Sequence, residues 1–228
     1  MNAPEQDTGV AKVERRAATP FAGAIAGMLF AILFSASVII IFNSTAELAN
    51  DTGTWLETGG RQLKFALSLI PYAGLFFLWF IAVARERLGR FEDQFFSTVF
   101  IGSGLLFLAM VFAAAASAGG LIAAYAEDPA GTAGSSTFTY ARETVAQIFN
   151  VYALRMAAVF LLSQATLWLR TRVMPRWMAL LTFAVALVLL FVVTQSSWIV
   201  LVFPAWVFLV SAYILVARLR PARGTATP

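Results

Sequence analysis

Residues 21–42 read FAGAIAGMLFAILFSASVIIIF, an unbroken run with no charge and no proline. A bilayer core of about 30 Å needs about 20 apolar residues at 1.5 Å rise each, so this run predicts a membrane-crossing helix. It exceeds the roughly 7–15 residues of a secretory signal core, which favours an uncleaved span over cleavage near Ser44-Thr45-Ala46. Five further runs follow: Leu63–Ala84 with Pro71 inside, Phe95–Ala126, Tyr140–Leu169, Trp177–Thr194 and Ile199–Ala217. The connection Gln195-Ser196-Ser197-Trp198 joins the last two tightly. The expected fold class is an all-α membrane protein, a six-transmembrane-helix bundle. Residues 1–20 are expected as a flexible leader, 21–217 as one membrane domain and 218–228 as a tail.

Composition supports this class. Of 228 residues, 60% are hydrophobic and 12% charged, more apolar surface than a soluble domain of this length can bury. The net charge of +4 suggests nucleic acid only if its distribution is ignored. Basic residues cluster beside the apolar runs, three at each of four places: Lys12, Arg15 and Arg16; Arg85, Arg87 and Arg90; Arg170, Arg172 and Arg176; Arg218, Arg220 and Arg223. The opposite connectors carry Glu47, Asp51, Glu57, Glu127 and Asp128. The positive-inside bias therefore places both termini in the cytoplasm, N-in and C-in. Arginine far outnumbers the two lysines, Lys12 and Lys64, and alanine is abundant, which fits a bacterial inner (plasma) membrane. Trp55, Trp79, Trp168, Trp177 and Trp198 fall near the expected interfaces.

The third and fourth runs are overlong. From Phe95, about 20 residues reach the far surface near Ala114, which leaves the stretch to Ala126 to tilt or to rise as a hairpin with the loop Pro129–Thr139. Small residues recur at four-residue spacing, Ala109/Ala113/Ser117 and Ala116/Gly120, and allow close helix approach. Packing within the bundle is the plain reading of that stripe, and a homo-oligomer seam the alternative. Similar arginine patterns close the second, fourth and sixth runs, so three duplicated hairpins are a further alternative to orientation alone.

Arg155 is the charge inside a span. Fifteen residues from Arg170, it lies about 22 Å from the arginine-rich boundary and roughly 8 Å below the opposite surface of a 30 Å core. A charge at such depth is costly and by default faces the bundle interior or a watery cavity. No Asp or Glu shares its depth; Glu143 is twelve residues away, and Glu47 is the nearest acid by layer. Carbonyls freed by Pro71 are other acceptors. Ser68, Tyr72, Gln147 and Asn150 occupy the same layer or its rim. Arg155, Tyr72, Ser68, Glu47, Asn150 and Gln147 are accordingly the expected ligand-binding set, with helix stitching by Arg155 the competing account.

Absences narrow the chemistry. Without Cys or His there is no disulfide, thiolate metal site, histidine haem ligation or histidine base. No P-loop is present. No carboxylate lies deep in a span to carry a coupling proton or sodium. Neither lysine is placed for a Schiff base or a Ser–Lys dyad. No cofactor or metal is expected and no enzyme, save a lipid-modifying one built on surface Glu, Asp and Tyr. The stretch Arg87–Phe112, with Leu88-Gly89, Glu92-Asp93, Phe95-Phe96 and Gly102-Ser103-Gly104-Leu105-Leu106-Phe107, resembles one in uncharacterised actinobacterial multi-pass membrane proteins. The resemblance covers the second and third spans best and implies a bacterial plasma membrane location without an activity. The leading functional expectation is binding or passage of an anionic or amphiphilic small molecule through an outward-facing cavity. The alternative is a non-catalytic accessory or scaffolding subunit of a larger membrane complex.

Overall fold

The structure is a computed structural model that describes residues 7–45, 55–88, 94–191 and 197–219. Helix α1 spans Asp7–Thr45, α2 Trp55–Leu88 and α3 Gln94–Glu127. A single turn, α4 (Pro129–Thr132), leads to α5 (Ser136–Gln147), which runs through a π-helical stretch, Ile148–Ala153, into α6 (Leu154–Thr171). Helix α7 spans Arg176–Phe191, and α8 (Val202–Leu219) follows a 3-10 turn at Ser197–Leu201. Among the described residues there is no strand.

Five helical segments are long and apolar enough to cross a membrane: Phe21–Ser44, Gly60–Arg85, Phe95–Glu127, Ser136–Thr171 and Trp198–Ala217. The outward faces carry large exposed side chains such as Ile32, Phe65, Leu180 and Phe191, the surface of a multi-pass membrane protein. The expected span Trp177–Thr194 is represented by α7, whose sixteen described residues cover about 24 Å at helical rise; residues 192–196 lie outside the described residues. Residues 7–20 are continuous with α1, and Pro20 stands where the apolar run begins.

Helix α1 packs along α2 and α8, α3 along α2 and α6, and α7 along α6. Helices α7 and α8 do not lie close along their length. The gap is bridged by Trp206, whose Nε1–H donates to Thr182 Oγ1 at 3.2 Å, and by Trp177 edge-on to Tyr213. Three equivalent hairpins are therefore not what the chain forms. Trp168, expected at an interface, is buried and stacks on Trp206 at 5.9 Å.

The core is a lattice of phenylalanines. Phe77 of α2 is fully buried, and its ring meets Phe30, Phe80, Phe107, Phe160 and Phe203 at centroid distances of 4.6–6.2 Å. These rings come from α1, α2, α3, α6 and α8, so one side chain joins five helices. Gly104 of α3 allows the close approach to α6 and α2: a Cβ there would fall 2.6 Å from Ile81 Cδ1 and 3.2 Å from the Phe160 ring. The small residues expected to serve packing do not all do so. Ala109, Ala116 and Gly120 are exposed on the outside of the bundle.

The hairpin of α3 and α5–α6 is as long as expected, but its loop is shorter. Asp128 caps α4 by accepting from the Gly131 N–H at 2.9 Å, Gly134 turns the chain at φ 67°, and Ser135 caps α5 by accepting from the Phe138 N–H. The hairpin tip holds a small core of its own, Leu63, Ile122, Tyr125 and Phe138, flanked by Ile41, Leu67, Leu121 and Ala133. It thereby rests on the ends of α1 and α2.

Truncating the hub tests this account. Phe77→Ala is expected to cost about 3–5 kcal/mol, as large core truncations do, read from denaturant unfolding in detergent micelles. Phe208→Ala, on the exposed face, is expected to stay within about 0.5 kcal/mol.

Candidate functional site

Between the phenylalanine lattice and the hairpin-tip core lies a cavity of about 300 Å³. Its walls come from four elements: Phe34, Val38, Ile41 and Phe42 of α1; Leu63, Leu67 and Ile70 of α2; Val111, Ala114, Ala115 and Ala118 of α3; and Val145, Ala146 and Phe149 of the α5–π segment. The two polar residues lining it are Arg142 and Asn150. Asn150 is exposed, and the Arg142 side chain is 35% exposed. The chamber is thus apolar inside and polar where it meets the surface.

The cavity exists because small residues face large ones across it. Ala114, Ala115, Ala118 and Ala146 leave space that Phe34, Phe42 and Phe149 do not close. Ser37, in the adjoining turn of α1, is fully buried and donates its Oγ–H to the Ala66 carbonyl at 2.8 Å, which fixes α1 against α2 on this side. The π stretch sits in the opposite wall. Such a stretch widens one turn and changes which residues share a face, and here both Phe149 and Asn150 line the chamber.

Arg142 Nη2 donates to Glu143 Oε1 at 3.2 Å. The pair is part-exposed and adjacent in sequence, so it contributes under about 1 kcal/mol. A planar guanidinium at the rim of an apolar chamber presents a fork of N–H donors to a carboxylate or phosphate. Among the described residues no cluster of acids could hold a metal.

The expected set is only partly brought together. Asn150 lines the chamber; Arg155, Tyr72, Ser68 and Gln147 are not among its walls. Arg155 is half-buried, and its Nη1 donates to the Val151 carbonyl at 3.1 Å on its own helix. That oxygen also accepts from the Leu154 N–H at the end of the π stretch. Tyr72 is 61% exposed on the outside of α2. Ser68 is exposed too and returns its hydroxyl proton to the Phe65 carbonyl at 2.6 Å. Gln147 is exposed, and Glu47 lies outside the described residues. The guanidinium at the chamber is that of Arg142, which depth alone did not single out.

Comparison with protein-family models, with curated proteins and with solved structures finds no match to this chain.

Removing the Arg155 charge separates the two arginines. Arg155→Met forfeits one side-chain bond to a carbonyl already used by the helix, at a cost of about 1 kcal/mol. It is expected to lower the unfolding midpoint slightly and to leave ligand retention, measured by native mass spectrometry, unchanged.

Proposed function

We propose that the chain is a six-span bacterial plasma-membrane protein, both termini cytoplasmic, that binds an anionic amphiphile in the chamber between α1, α2, α3 and the α5–π segment. The observation that carries this reading is the pairing of a 300 Å³ apolar cavity with Arg142 and Asn150 at its rim. Arginines at one end of the bundle support an outward-facing chamber, since Arg85, Arg170, Arg172 and Arg176 lie at the end remote from the hairpin. The volume is that of roughly ten waters at about 30 Å³ each, and a methylene fills nearly the same space. A chain of roughly ten carbons, headed by a carboxylate or phosphate, matches both walls and rim. The reading requires no catalytic step.

Binding describes this conformation better than open passage. On the far side of the chamber, Phe30, Phe77, Phe107, Phe160 and Phe203 are close-packed and buried. Transport would require those rings to part.

The test is retention of medium-chain carboxylates by the purified protein in native mass spectrometry, against the matching alcohols. Arg142→Gln is expected to weaken carboxylate binding about 10–100-fold, the worth of a charge-assisted bond, and to leave the alcohol unaffected. Ala115→Phe, which fills the chamber, is expected to abolish both. Retention indifferent to both substitutions would defeat the proposal.

A scaffolding role is the second reading, favoured by the small residues Ala109, Ala116 and Gly120 left exposed on α3, where a second helix backbone could approach closely. It predicts a dimer by light scattering that Ala116→Leu dissociates and that binds no amphiphile.

A further inference from the structure

After Glu143 the sequence contains no acidic residue, while seven arginines follow it. Three of these, Arg170, Arg172 and Arg176, stand at the turn that joins α6 to α7, and all three are exposed. Basic groups nearer the start of the chain have acids among them: Glu14 beside Arg15, Glu86 between Arg85 and Arg87, and Glu92 and Asp93 after Arg90. Arg170 is engaged, its guanidinium carbon 4.5 Å from the centre of the Phe96 ring. Arg172 and Arg176 make no ion pair or side-chain hydrogen bond among the described residues.

The turn that carries them is fixed at both ends. Arg172 adopts φ 53°, and its N–H donates to the Trp168 carbonyl at 3.0 Å to close α6. The Thr171 hydroxyl donates to the Leu167 carbonyl at 2.7 Å. Met174 is buried and belongs to the main core, and the Met178 N–H donates to the Pro175 carbonyl at 3.0 Å as α7 begins. A ligand bound here therefore orders side chains only, which lowers the cost of binding. Around the two arginines, Leu169, Val173 and Trp177 are exposed at 39%, 40% and 55%. Guanidinium groups beside exposed apolar side chains suit the depth at which phosphates meet acyl chains.

We propose that the α6–α7 turn binds the headgroup of an anionic phospholipid. Arg172 and Arg176 donate to the phosphate oxygens, a geometry that guanidinium forks match, and Leu169, Val173 and Trp177 lie along the acyl chains. Basic side chains beside membrane helices attract anionic headgroups in this way. A zwitterionic headgroup fits less well, because its ammonium would meet arginines and no acid from α6, α7 or α8. Membrane orientation alone asks for positive charge at this end; it does not require that the charge be unmatched by acids or held on a fixed turn. The site is independent of the chamber, which lies at the other end of the bundle and shares none of these residues.

Native mass spectrometry of the full chain tests it, with phosphatidylglycerol and phosphatidylcholine of matched acyl chains added in equal amounts and inorganic phosphate in a parallel arm. The wild-type chain is expected to retain phosphatidylglycerol in preference. Arg172→Gln and Arg176→Gln are each expected to weaken that preference about fivefold, and the double variant to abolish it. Arg142→Gln at the chamber and Arg85→Gln at the end of α2 remove the same charge elsewhere and are expected to leave it intact. Equal retention of the two lipids by the wild-type chain would overturn the proposal. So would a preference that survives the double variant, one that Arg85→Gln reduces as much, or inorganic phosphate retained in place of lipid.

Discussion

The close packing of aromatic rings around Phe77 is the constraint from which the bundle follows. Inside a bilayer no hydrophobic effect draws helices together, since lipid tails are as apolar as the side chains they replace. What remains is dispersion, collected atom by atom where surfaces interlock, with offset and edge-to-face ring pairs adding to it. Phe77 collects it from five rings at once, including Phe203 at 5.7 Å from α8 and Phe107 at 5.4 Å from α3. Helix α8 packs along α1, and the Phe203 ring carries it to α2 and α3 as well. Interhelical hydrogen bonds such as Ser37 to Ala66 and Trp206 to Thr182 fix register around that centre.

The chamber is defined by where the lattice stops, its wall on α2 ending at Ile70 and on α1 at Phe34. Above the lattice, alanines on α3 leave the chamber open and the hairpin tip closes over it. An overlong hairpin is what makes that lid available: helices cut to bilayer length would end before Ile122, Tyr125 and Phe138 could meet Leu63.

Length and apolarity were legible in the chain because they are one-dimensional. Helices α1, α2, α3 and α5–α6 fall where apolar runs demand them. The fifth run is seen only in part, since residues 192–194 lie outside the described residues. Azimuth was not legible. Ala153 and Ala157 face the core with almost no exposure, and Arg155 is two residues from each, about 200° around the helix. Its guanidinium therefore turns away from the chamber. Arg142 belongs to the stripe that continues through Ala146, Phe149 and Ala153 at spacings of four, three and four. That stripe could have been followed outward from the small residues of α6, but the π stretch disturbs its phase and no sequence signal announces it. Tyr72 and Ser68 fail for the same reason, both falling off the face set by Ala66, Ile70, Ala73 and Phe77.

The placement of the two arginines is physically consistent with their environments. Arg155 donates to a carbonyl of its own helix and is not among the residues that line the chamber. Arg142 stands at the rim, where water still screens it and where Glu143 beside it is exposed. A cation held tightly by buried partners would have little left to offer a ligand, and one fully solvated would gain little from binding. Between those limits, a part-exposed guanidinium bordering an apolar chamber gains most from an anion whose tail removes the remaining water. That balance, more than the presence of an arginine in a membrane helix, is the ground for the binding proposed at the hairpin end of the bundle.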